Sequence, residues 1–330
     1  LRIAGELARR QLRLGDARDR FEAALRLDGP RAIDEVPLGI VLIDSRDPAE
    51  RNRGLDLLAR RASDPQWGPA ALRPLLEDAI RHDDRQAMLR GGEALRTHPL
   101  CTAGDMPRCL LAISRADPAR FATLLDRLEN DYAGNPARIV ALIGWLNQIG
   151  RSDDAVRWIH GLPVALTRRP PVIVAAAEAL RLSADWSALA TWTDGPAWSD
   201  DVEFLRLCYH MQAGLKTGRK DDALTDWAAV QSLVRLNGAH ALFAGDALIT
   251  WGLPDQAEAL WWIAAKQPGV ATRALGTLAR HYQVRHDAEG QYRAFGRLHS
   301  LRPDDTDIAN NLAFFAALTG QNYGLADRLA

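Results

Sequence analysis

One arrangement of small and large residues recurs along this chain with a constant period. In the stretch GLPDQAEALWWIAAKQPG, Gly252 is followed by Ala257 at +5 and Trp261 at +9. Gly218 and Gly150 open matching stretches, GRKDDALTDW and GRSDDAVRWI, and the separations are 252 − 218 = 34 and 218 − 150 = 68, twice 34. We call this glycine the phase position, and steps of 34 place it at 48, 82, 116, 150, 184, 218, 252, 286 and 320. Such a period predicts stacked supersecondary units, none of which buries its apolar face alone.

Each unit is predicted to be two helices joined at the phase position. The segment before it has helical spacing of apolar residues, as in RIVALIGWLNQI. The segment after it begins with carboxylates such as Asp221 and Asp255, which the unpaired N–H groups of a first turn favour. Small residues seven before the phase position are predicted to let the two helices approach closely; they are Cys109, Ala177, Gly245, Ala279 and Ala313. Trp261, at +9, is predicted to fill the space between the helices.

A 34-residue helix–turn–helix with these residues resembles the tetratricopeptide repeat (TPR) family. The run DIANNLAFFAALTG, with Asn311, Leu312 and Ala313, is similar to the first-helix signature of that family. The resemblance covers the whole chain, more weakly over 1–135 than over 136–330. It implies an all-α fold: a right-handed superhelical solenoid of about nine to ten helical hairpins, forming a single elongated domain over 1–330.

Two segments depart from the pattern. PRAIDEVPLGIVLIDS, residues 30–45, is rich in proline and β-branched residues, so we expect local irregularity there. In the unit at 184, no glycine occupies the phase position and the second helix looks short. Trp186, Trp192 and Trp198 are predicted to fill the space that a full helix would take, and an exposed aromatic patch is the alternative.

Composition excludes several classes of function. With 41 Lys+Arg against 42 Asp+Glu, the chain lacks the basic excess of a nucleic-acid-binding protein. Its apolar stretches fall short of the roughly 20 residues that a membrane helix needs. Cys101, Cys109 and Cys208 form neither a disulfide framework nor a zinc motif. The Arg- and Ala-rich composition suggests a bacterial origin and leaves cytoplasm and periplasm open. Because both termini fall within helical patterns, we expect a piece of a longer protein.

The sequence predicts a non-enzymatic protein with no catalytic, metal or cofactor residues, since the common catalytic and nucleotide-binding motifs are absent. The resemblance implies a scaffold that binds a protein or peptide in a concave groove, without a cofactor. Groove positions of the family, at −13, −10, −6, −3 and −2 from the phase position, fall here on Asn147, Glu178, Arg181, Gln212, Asp246, Arg273, Arg280, Gln283 and Asn310.

Within this set, Arg273, Arg280 and Asn310 are predicted to bind an acidic group, because Arg can hold a carboxylate through two hydrogen bonds. The lysine-containing carboxylate clamp of chaperone-binding relatives is absent, since position −10 holds Val140, Val174, Cys208, Leu242 and Gly276.

Three alternatives stay open. The repeats could be the regulatory or oligomerisation segment of a larger secretion, envelope-assembly or enzyme-associated protein. They could form a self-associating structural protein, that is, a homo-oligomer. A catalytic superhelix of the lytic-transglycosylase kind is disfavoured, because no catalytic module follows the repeats. A narrower question concerns Trp262, which sits at a position where the repeat requires nothing large and is either packed against a neighbouring unit or exposed for a partner.

Overall fold

Helices alone make up the regular structure of the described chain. The computed structural model describes residues 1–329, and these contain 21 α-helices and no β-strand. They fall into two units, Leu1–Leu182 and Ser183–Ala330.

Unit 1 contains α1 (Arg2–Arg10), α2 (Leu14–Asp28), α3 (Ala32–Leu42), α4 (Pro48–Arg61), α5 (Gly68–Arg81), α6 (Arg85–Thr97), α7 (Met106–Ala116), α8 (Pro118–Tyr132), α9 (Pro136–Gln148), α10 (Ser152–Gly161), α11 (Val164–Thr167) and α12 (Val172–Leu182). Unit 2 contains α13 (Trp186–Thr193), α14 (Glu203–Lys216), α15 (Lys220–Val234), α16 (Gly238–Thr250), α17 (Pro254–Ala264), α18 (Ala271–Val284), α19 (Ala288–Leu301), α20 (Thr306–Thr319) and α21 (Tyr323–Leu329).

The helices pack in consecutive pairs. Five hairpins form unit 1 from α1/α2 to α9/α10, after which α12 packs against α9 and α10. In unit 2, α13 packs against α14, and four hairpins follow from α14/α15 to α20/α21. We call the two members of each hairpin its first and second helix, and by the repeat register α12 also counts as a first helix and α13 as a second helix. First helices also pack on one another, as α1 does on α3, α3 on α5 and α14 on α16. The predicted all-α architecture of TPR-like hairpins is confirmed.

The 34-residue period is regular over most of the chain. Successive second helices begin at Pro118, Ser152, Trp186, Lys220, Pro254 and Ala288, so that each start lies one repeat period after the one before. Earlier in the chain, the second helices α4 and α6 begin at residues 48 and 85, a spacing of 85 − 48 = 37. The next spacing, from α6 to α8 at Pro118, is 118 − 85 = 33, so the predicted phase positions 48 and 82 are wrong by two residues and one residue.

The turn at the phase position is left-handed in the six consecutive units from 150 to 320. Positive φ angles between 54° and 82° recur at Gly150, Ala184, Gly218, Gly252, His286 and Gly320, each one repeat period after the last. Ala184 and His286 thus take the conformation of the missing glycine, although a side chain makes it less favourable. The turn geometry belongs to the repeat itself and persists where its preferred residue has been replaced.

Small residues bring the paired helices together as predicted. Cys109, Ala177 and Gly245 are buried. A Cβ atom added to Gly245 would lie 2.6 Å from Cδ1 of Trp261, which is itself only 2% exposed. The α16/α17 hairpin therefore needs glycine at 245 because a large aromatic residue fills the +9 position.

Both segments that depart from the sequence pattern are helical. Residues 32–42 form α3 with Pro37 inside it, so the expected irregularity reduces to one proline within a continuous helix. The second helix of the unit at 184 is short, as predicted: α13 has 8 residues. Trp192 is buried there, whereas Trp186 and Trp198 are half-buried.

Buried carboxylates join consecutive first helices in unit 1. Asp34, fully buried, accepts a 2.7 Å hydrogen bond from Nε of Arg2. Asp105, 3% exposed, accepts from Nε and Nη2 of Arg73 at 2.7 and 2.9 Å, and Thr102 donates two more hydrogen bonds. The Arg73 hydrogen bonds hold the pKa of Asp105 well below its usual range. These pairs connect first helices about one repeat apart.

Candidate functional site

The residues predicted to line the groove all lie on first helices. Asn147 lies on α9, and Glu178 and Arg181 lie on α12, all in unit 1. The other six belong to unit 2, and we call this set the first-helix face of unit 2: Gln212 on α14, Asp246 on α16, Arg273, Arg280 and Gln283 on α18, and Asn310 on α20.

In unit 1, the predicted residues are largely engaged within the protein. Arg181 donates to both carboxylate oxygens of Glu178 at 2.9 and 2.7 Å, and its side chain is only 13% exposed. Oδ1 of Asn147 is buried without a hydrogen-bond partner in the described chain. Because the charges of Glu178 and Arg181 compensate each other, this pair offers a partner little net charge.

In unit 2, the structure brings Asp246 and Arg273 together. Nη2 of Arg273 lies 3.5 Å from Oδ2 of Asp246, while the Arg273 side chain stays 73% exposed. The other carboxylate oxygen of Asp246 accepts a 3.0 Å hydrogen bond from Nε1 of Trp261. The indole of Trp261 thus fixes the Asp246 carboxylate. The 3.5 Å ion pair between Asp246 and the exposed Arg273 is weak, so a ligand can displace it.

The remaining polar groups of this face are open to solvent. Arg280, Gln283 and Asn310 are exposed. The Arg280 side chain donates a 3.1 Å hydrogen bond to Oγ1 of Thr277, and no ion pair joins it to another described residue. Arg280 therefore has no carboxylate partner within the described chain, and its guanidinium can bind an acidic group. Within residues 1–329, no hydrogen bond or ion pair joins Arg273, Arg280 and Asn310 to one another.

Gln212 differs from the rest of the set because it is buried. Only 2% of its surface is exposed, and its Nε2 donates a 3.4 Å hydrogen bond to the carbonyl of Trp251. Its Oε1 has no hydrogen-bond partner among the described residues. Gln212 therefore supports the face from below rather than meeting a partner directly.

Exposed apolar side chains accompany these polar groups, and of these the sequence placed only Phe314 in the groove. Leu215 and Val284 occupy positions −3 and −2 of their units and are 38% and 81% exposed. Phe314 and Leu318, at −6 and −2 of the last unit, are 59% and 60% exposed. All four lie at groove positions of the same register that located Arg280 and Gln283, so the register was sufficient to locate them from the sequence.

The two adjacent tryptophans play different structural roles. Trp261 is core, as predicted. Trp262 is half-buried and donates from Nε1 to the hydroxyl of Tyr282 at 2.8 Å, and that hydroxyl donates to Oε1 of Glu258 at 2.5 Å. The Arg293 guanidinium lies 5.8 Å from the Trp262 ring centre, within cation–π range. Trp262 is thus packed against neighbouring helices rather than left free for a partner.

This network shifts the protonation of its neighbours. Burial, reinforced by the Glu258 hydrogen bond, raises the pKa of Tyr282, so the hydroxyl stays a donor. Burial also lowers the pKa of His281, whose side chain is 8% exposed and lies 3.8 Å from Glu258. The aromatic ring of His281 contacts Trp261 edge-on at 5.4 Å between centres. His281 is therefore a neutral packing residue near neutral pH.

Metal-binding groups do not cluster within residues 1–329, where no set of three His, Cys, Asp or Glu is placed to hold an ion. Burial raises the pKa of the Cys109 and Cys208 thiols to about 12, which keeps both protonated. No helix in the described part of the chain is long and apolar enough to cross a membrane.

A groove of about 690 Å³ lies elsewhere, in unit 1, between α1, α3 and the start of α5. Ile3, Leu7 and Ile33 are among its lining residues and are 86%, 52% and 43% exposed. A signal for it is present in the sequence, because Ile3 and Leu7 are spaced by four on α1 and Ile33, Pro37 and Ile40 share one side of α3. The predicted site did not include it because the repeat phase is displaced in this part of the chain.

Comparison with known proteins gives only distant structural matches. No family model matches the chain, and no curated relative does. The solved structures that match include the APC/C hetero-tetramer Cut9–Hcn1, at 10% identity over 98% of this chain and 70% of that one, with a TM-score of 0.33. The TPR domain of P58(IPK) matches at 14% identity over 97% of both chains, with a TM-score of 0.28. Human IFIT1, as a dimer with PPP-AAAA, matches at 13% identity over 98% and 81%, with a TM-score of 0.29. TM-scores this low transfer neither ligands nor partners to this chain.

Proposed function

We propose that this protein is a non-enzymatic scaffold that binds an extended peptide segment of a partner protein along the first-helix face of unit 2. The observation that carries the proposal is the combination of exposed groups on successive first helices. The exposed hydrogen-bonding side chains Gln283 and Asn310 lie at groove positions of the repeat. The exposed apolar side chains Val284 and Phe314 lie at groove positions too. A peptide needs both kinds of contact, and exposed apolar groups rimmed by polar ones are typical of interaction surfaces.

Within this face, Arg280 and Arg273 favour a partner with an acidic group. Arg280 has no carboxylate partner among the described residues, and Arg273 is held only by a 3.5 Å pair with Asp246. A ligand carboxylate can therefore bind Arg280 without breaking an ion pair and can replace Asp246 at Arg273. Asp246 stays in place meanwhile, because Trp261 donates to its other oxygen.

Selection from a phage-displayed library of random dodecapeptides tests this function. Peptides enriched on the whole chain are labelled with fluorescein, and their affinity is measured by polarisation for the wild type and for the Arg273→Ala/Arg280→Ala/Asn310→Ala variant. The matched control is Glu289→Ala/Arg297→Ala, two exposed residues of the second helix α19.

We expect the triple variant to bind such peptides at least about tenfold more weakly, which corresponds to about 1.4 kcal/mol. The control should bind like the wild type. Equal affinity for all three proteins would reject this face. Failure to enrich any peptide, together with a concentration-dependent oligomer in light scattering, would favour self-association instead.

A further inference from the structure

A cleft of about 620 Å³ lies in unit 1 between the second helices α4 and α6, and the first helix α5 forms its floor. We call it the second-helix cleft. Leu72 and Ala79 of the floor are each only 3% exposed. Each wall presents apolar residues spaced by four and then three, which share one side of a helix: Leu55, Ala59 and Ala62 at α4, and Ala87, Gly91 and Ala94 on α6. The volume lies within the range of roughly 300–1,000 Å³ that is typical of small-molecule sites.

Polar and apolar residues separate along the length of this cleft. Arg51, near the start of α4, donates from Nη2 to both carboxylate oxygens of Asp78, near the end of α5, at 2.9 and 2.7 Å. His82 and Asp84 lie beside them, in the turn that joins α5 to α6. The opposite end is apolar, and there Ala62 follows the last residue of α4. An occupant with one polar end and an apolar body matches this arrangement.

The polar end has unused hydrogen-bond donors. Nη2 makes all the hydrogen bonds of the Arg51 side chain to described residues, so Nε and Nη1 of Arg51 donate to none of them. The acceptors are more fully engaged, since Arg51 contacts both oxygens of Asp78. Oδ1 of Asp84 accepts from the amide of Ala87 at 3.0 Å. Because a guanidinium carries five N–H groups, the pair between Arg51 and Asp78 leaves donors for a further acceptor.

Arg90 adds a cation without a partner to the wall of the cleft. It is exposed on α6, about one turn beyond Ala87, and no ion pair or hydrogen bond joins its side chain to another of residues 1–329. Asp78 is paired with Arg51, and Asp84 caps the N-terminus of α6, where the helix dipole favours a negative charge. The cleft therefore favours an anionic acceptor, and a carboxylate can engage a guanidinium through two hydrogen bonds.

The lining and length of the apolar part indicate the body of the occupant. The described residues that line the cleft include no Phe, Tyr or Trp, so a flat ring would find no aromatic partner to stack on. From Arg51 to Ala62 the wall spans 62 − 51 = 11 residues. This is about 16 Å at the rise of a helix, which accommodates a saturated chain of about ten to twelve carbons.

We infer that the second-helix cleft binds an alkyl carboxylate, a small amphipathic molecule with a saturated chain and one anionic head group. The carboxylate accepts from Arg90 and from the unused nitrogens of Arg51. The chain lies along Leu55, Leu75 and Ala79, where burial of its methylene groups stabilises the complex. The site lies wholly in unit 1 and does not depend on the face proposed in unit 2.

Isothermal titration calorimetry of the whole chain with decanoate, below its micelle concentration, tests this site. Octanoate, decanoate and dodecanoate should bind with increasing affinity, by about fourfold for each further methylene that is buried. Decyltrimethylammonium has the same chain length and the opposite charge, and it should bind about tenfold more weakly than decanoate or worse.

Filling the cleft should remove the binding. Ala59 is exposed on the wall, so Ala59→Phe can place its ring in the cleft and should weaken decanoate by about tenfold or more. Ala228→Phe is the matched control, because Ala228 is exposed on the second helix α15 in unit 2. It should leave the affinity for decanoate unchanged.

Charge reversal separates recognition of the head group from a structural role. Arg90→Glu should weaken decanoate and strengthen decyltrimethylammonium, whereas Arg297→Glu, at an exposed position of α19, should change neither affinity. A structural role of Arg90 alone predicts that both ligands weaken together. The urea midpoint of each variant, measured alongside, shows that it is folded.

The inference is overturned if decanoate does not bind, if Ala59→Phe and Ala228→Phe have the same affinity, or if decyltrimethylammonium binds the wild type as tightly as decanoate does. The Arg273→Ala/Arg280→Ala/Asn310→Ala variant should bind decanoate like the wild type. Failure of either proposal therefore leaves the other standing.

Discussion

Replacing glycine by alanine at two positions of one hairpin should change stability in opposite directions. Gly150, in the turn between α9 and α10, has φ +73°, whereas Gly144 lies inside α9. A Cβ added at either position meets no atom within 4 Å, so steric clashes contribute to neither change. The two substitutions therefore isolate the effect of backbone conformation.

The magnitudes follow from the two conformations. Alanine at Gly150 must adopt a left-handed conformation that costs about 1–2 kcal/mol. Part of this is offset by about 0.4–1 kcal/mol, because alanine restricts the unfolded chain. We expect Gly150→Ala to lower the free energy of unfolding by about 1 kcal/mol. Gly144→Ala should raise it by about 0.5–1 kcal/mol, the ordinary gain inside a helix.

Equilibrium urea unfolding followed by circular dichroism at 222 nm measures both changes. With an m value of about 3 kcal/mol/M, a change of 1 kcal/mol moves the midpoint by about 0.3 M. Ala184→Gly adds a reverse test, since it relieves a left-handed alanine and should stabilise by up to about 1 kcal/mol. If Gly150→Ala and Gly144→Ala shift the midpoint in the same direction, the left-handed turn at the phase position is refuted.

Three other substitutions test the packing around the candidate site and the first-helix stack. Tyr282→Phe leaves two half-buried groups, Nε1 of Trp262 and Oε1 of Glu258, without their hydroxyl partner, so urea unfolding should show a loss of about 1–2 kcal/mol, whereas Tyr292→Phe should change little. Asp105→Asn should destabilise by about 3 kcal/mol, because Arg73 loses its buried partner. Since the folded pKa of Asp105 is depressed, the difference from wild type should be full above about pH 4 and should shrink as the pH falls below it. The folded pKa of His281 is also lowered, so as the pH falls this histidine takes up a proton in the unfolded chain before it does so in the folded one. The free energy of unfolding should therefore be constant above about pH 6.5 with respect to His281 and should decline below that pH. A His281→Asn variant that keeps the same decline between about pH 6.5 and 5 would contradict this.

The repeat period predicted the fold because it constrains helix pairing directly. Small residues at 177 and 245 and the large residue Trp261 occupy the places that the register assigns to them. The left-handed turns at Ala184 and His286 show why the period remained readable without glycine. Neighbouring hairpins impose the turn geometry, and the local residue only makes it easier or harder to adopt.

The candidate site was less predictable, because register determines which side of a helix a residue occupies but not what covers it. Gln212 has the register of a groove residue, yet it is buried and donates to the carbonyl of Trp251, a contact 39 residues away. Trp262 lies at a position that requires nothing large, and its partner Tyr282 comes from the next hairpin. Contacts between neighbouring hairpins depend on the size of each side chain, which a period does not encode.

The groove in unit 1 was missed for a related reason. The three-residue lengthening between the second helices α4 and α6 displaces the register of the first two hairpins. Counting back from the regular repeats therefore assigns Ile33, Val36 and Pro37 to the wrong positions. Pro37 also made α3 look unsuitable as a helix, although one internal proline removes only a single hydrogen bond from it.

Hydrogen–deuterium exchange of the complex with a library-selected peptide tests the proposed function most directly. The account predicts slower exchange on binding at the exposed ends of the first helices α16, α18 and α20, with the second helices α15, α17 and α19 unchanged. The triple variant at Arg273, Arg280 and Asn310 should lose this protection. Protection confined to the second helices, or protection that persists in the triple variant, would contradict binding at the first-helix face of unit 2.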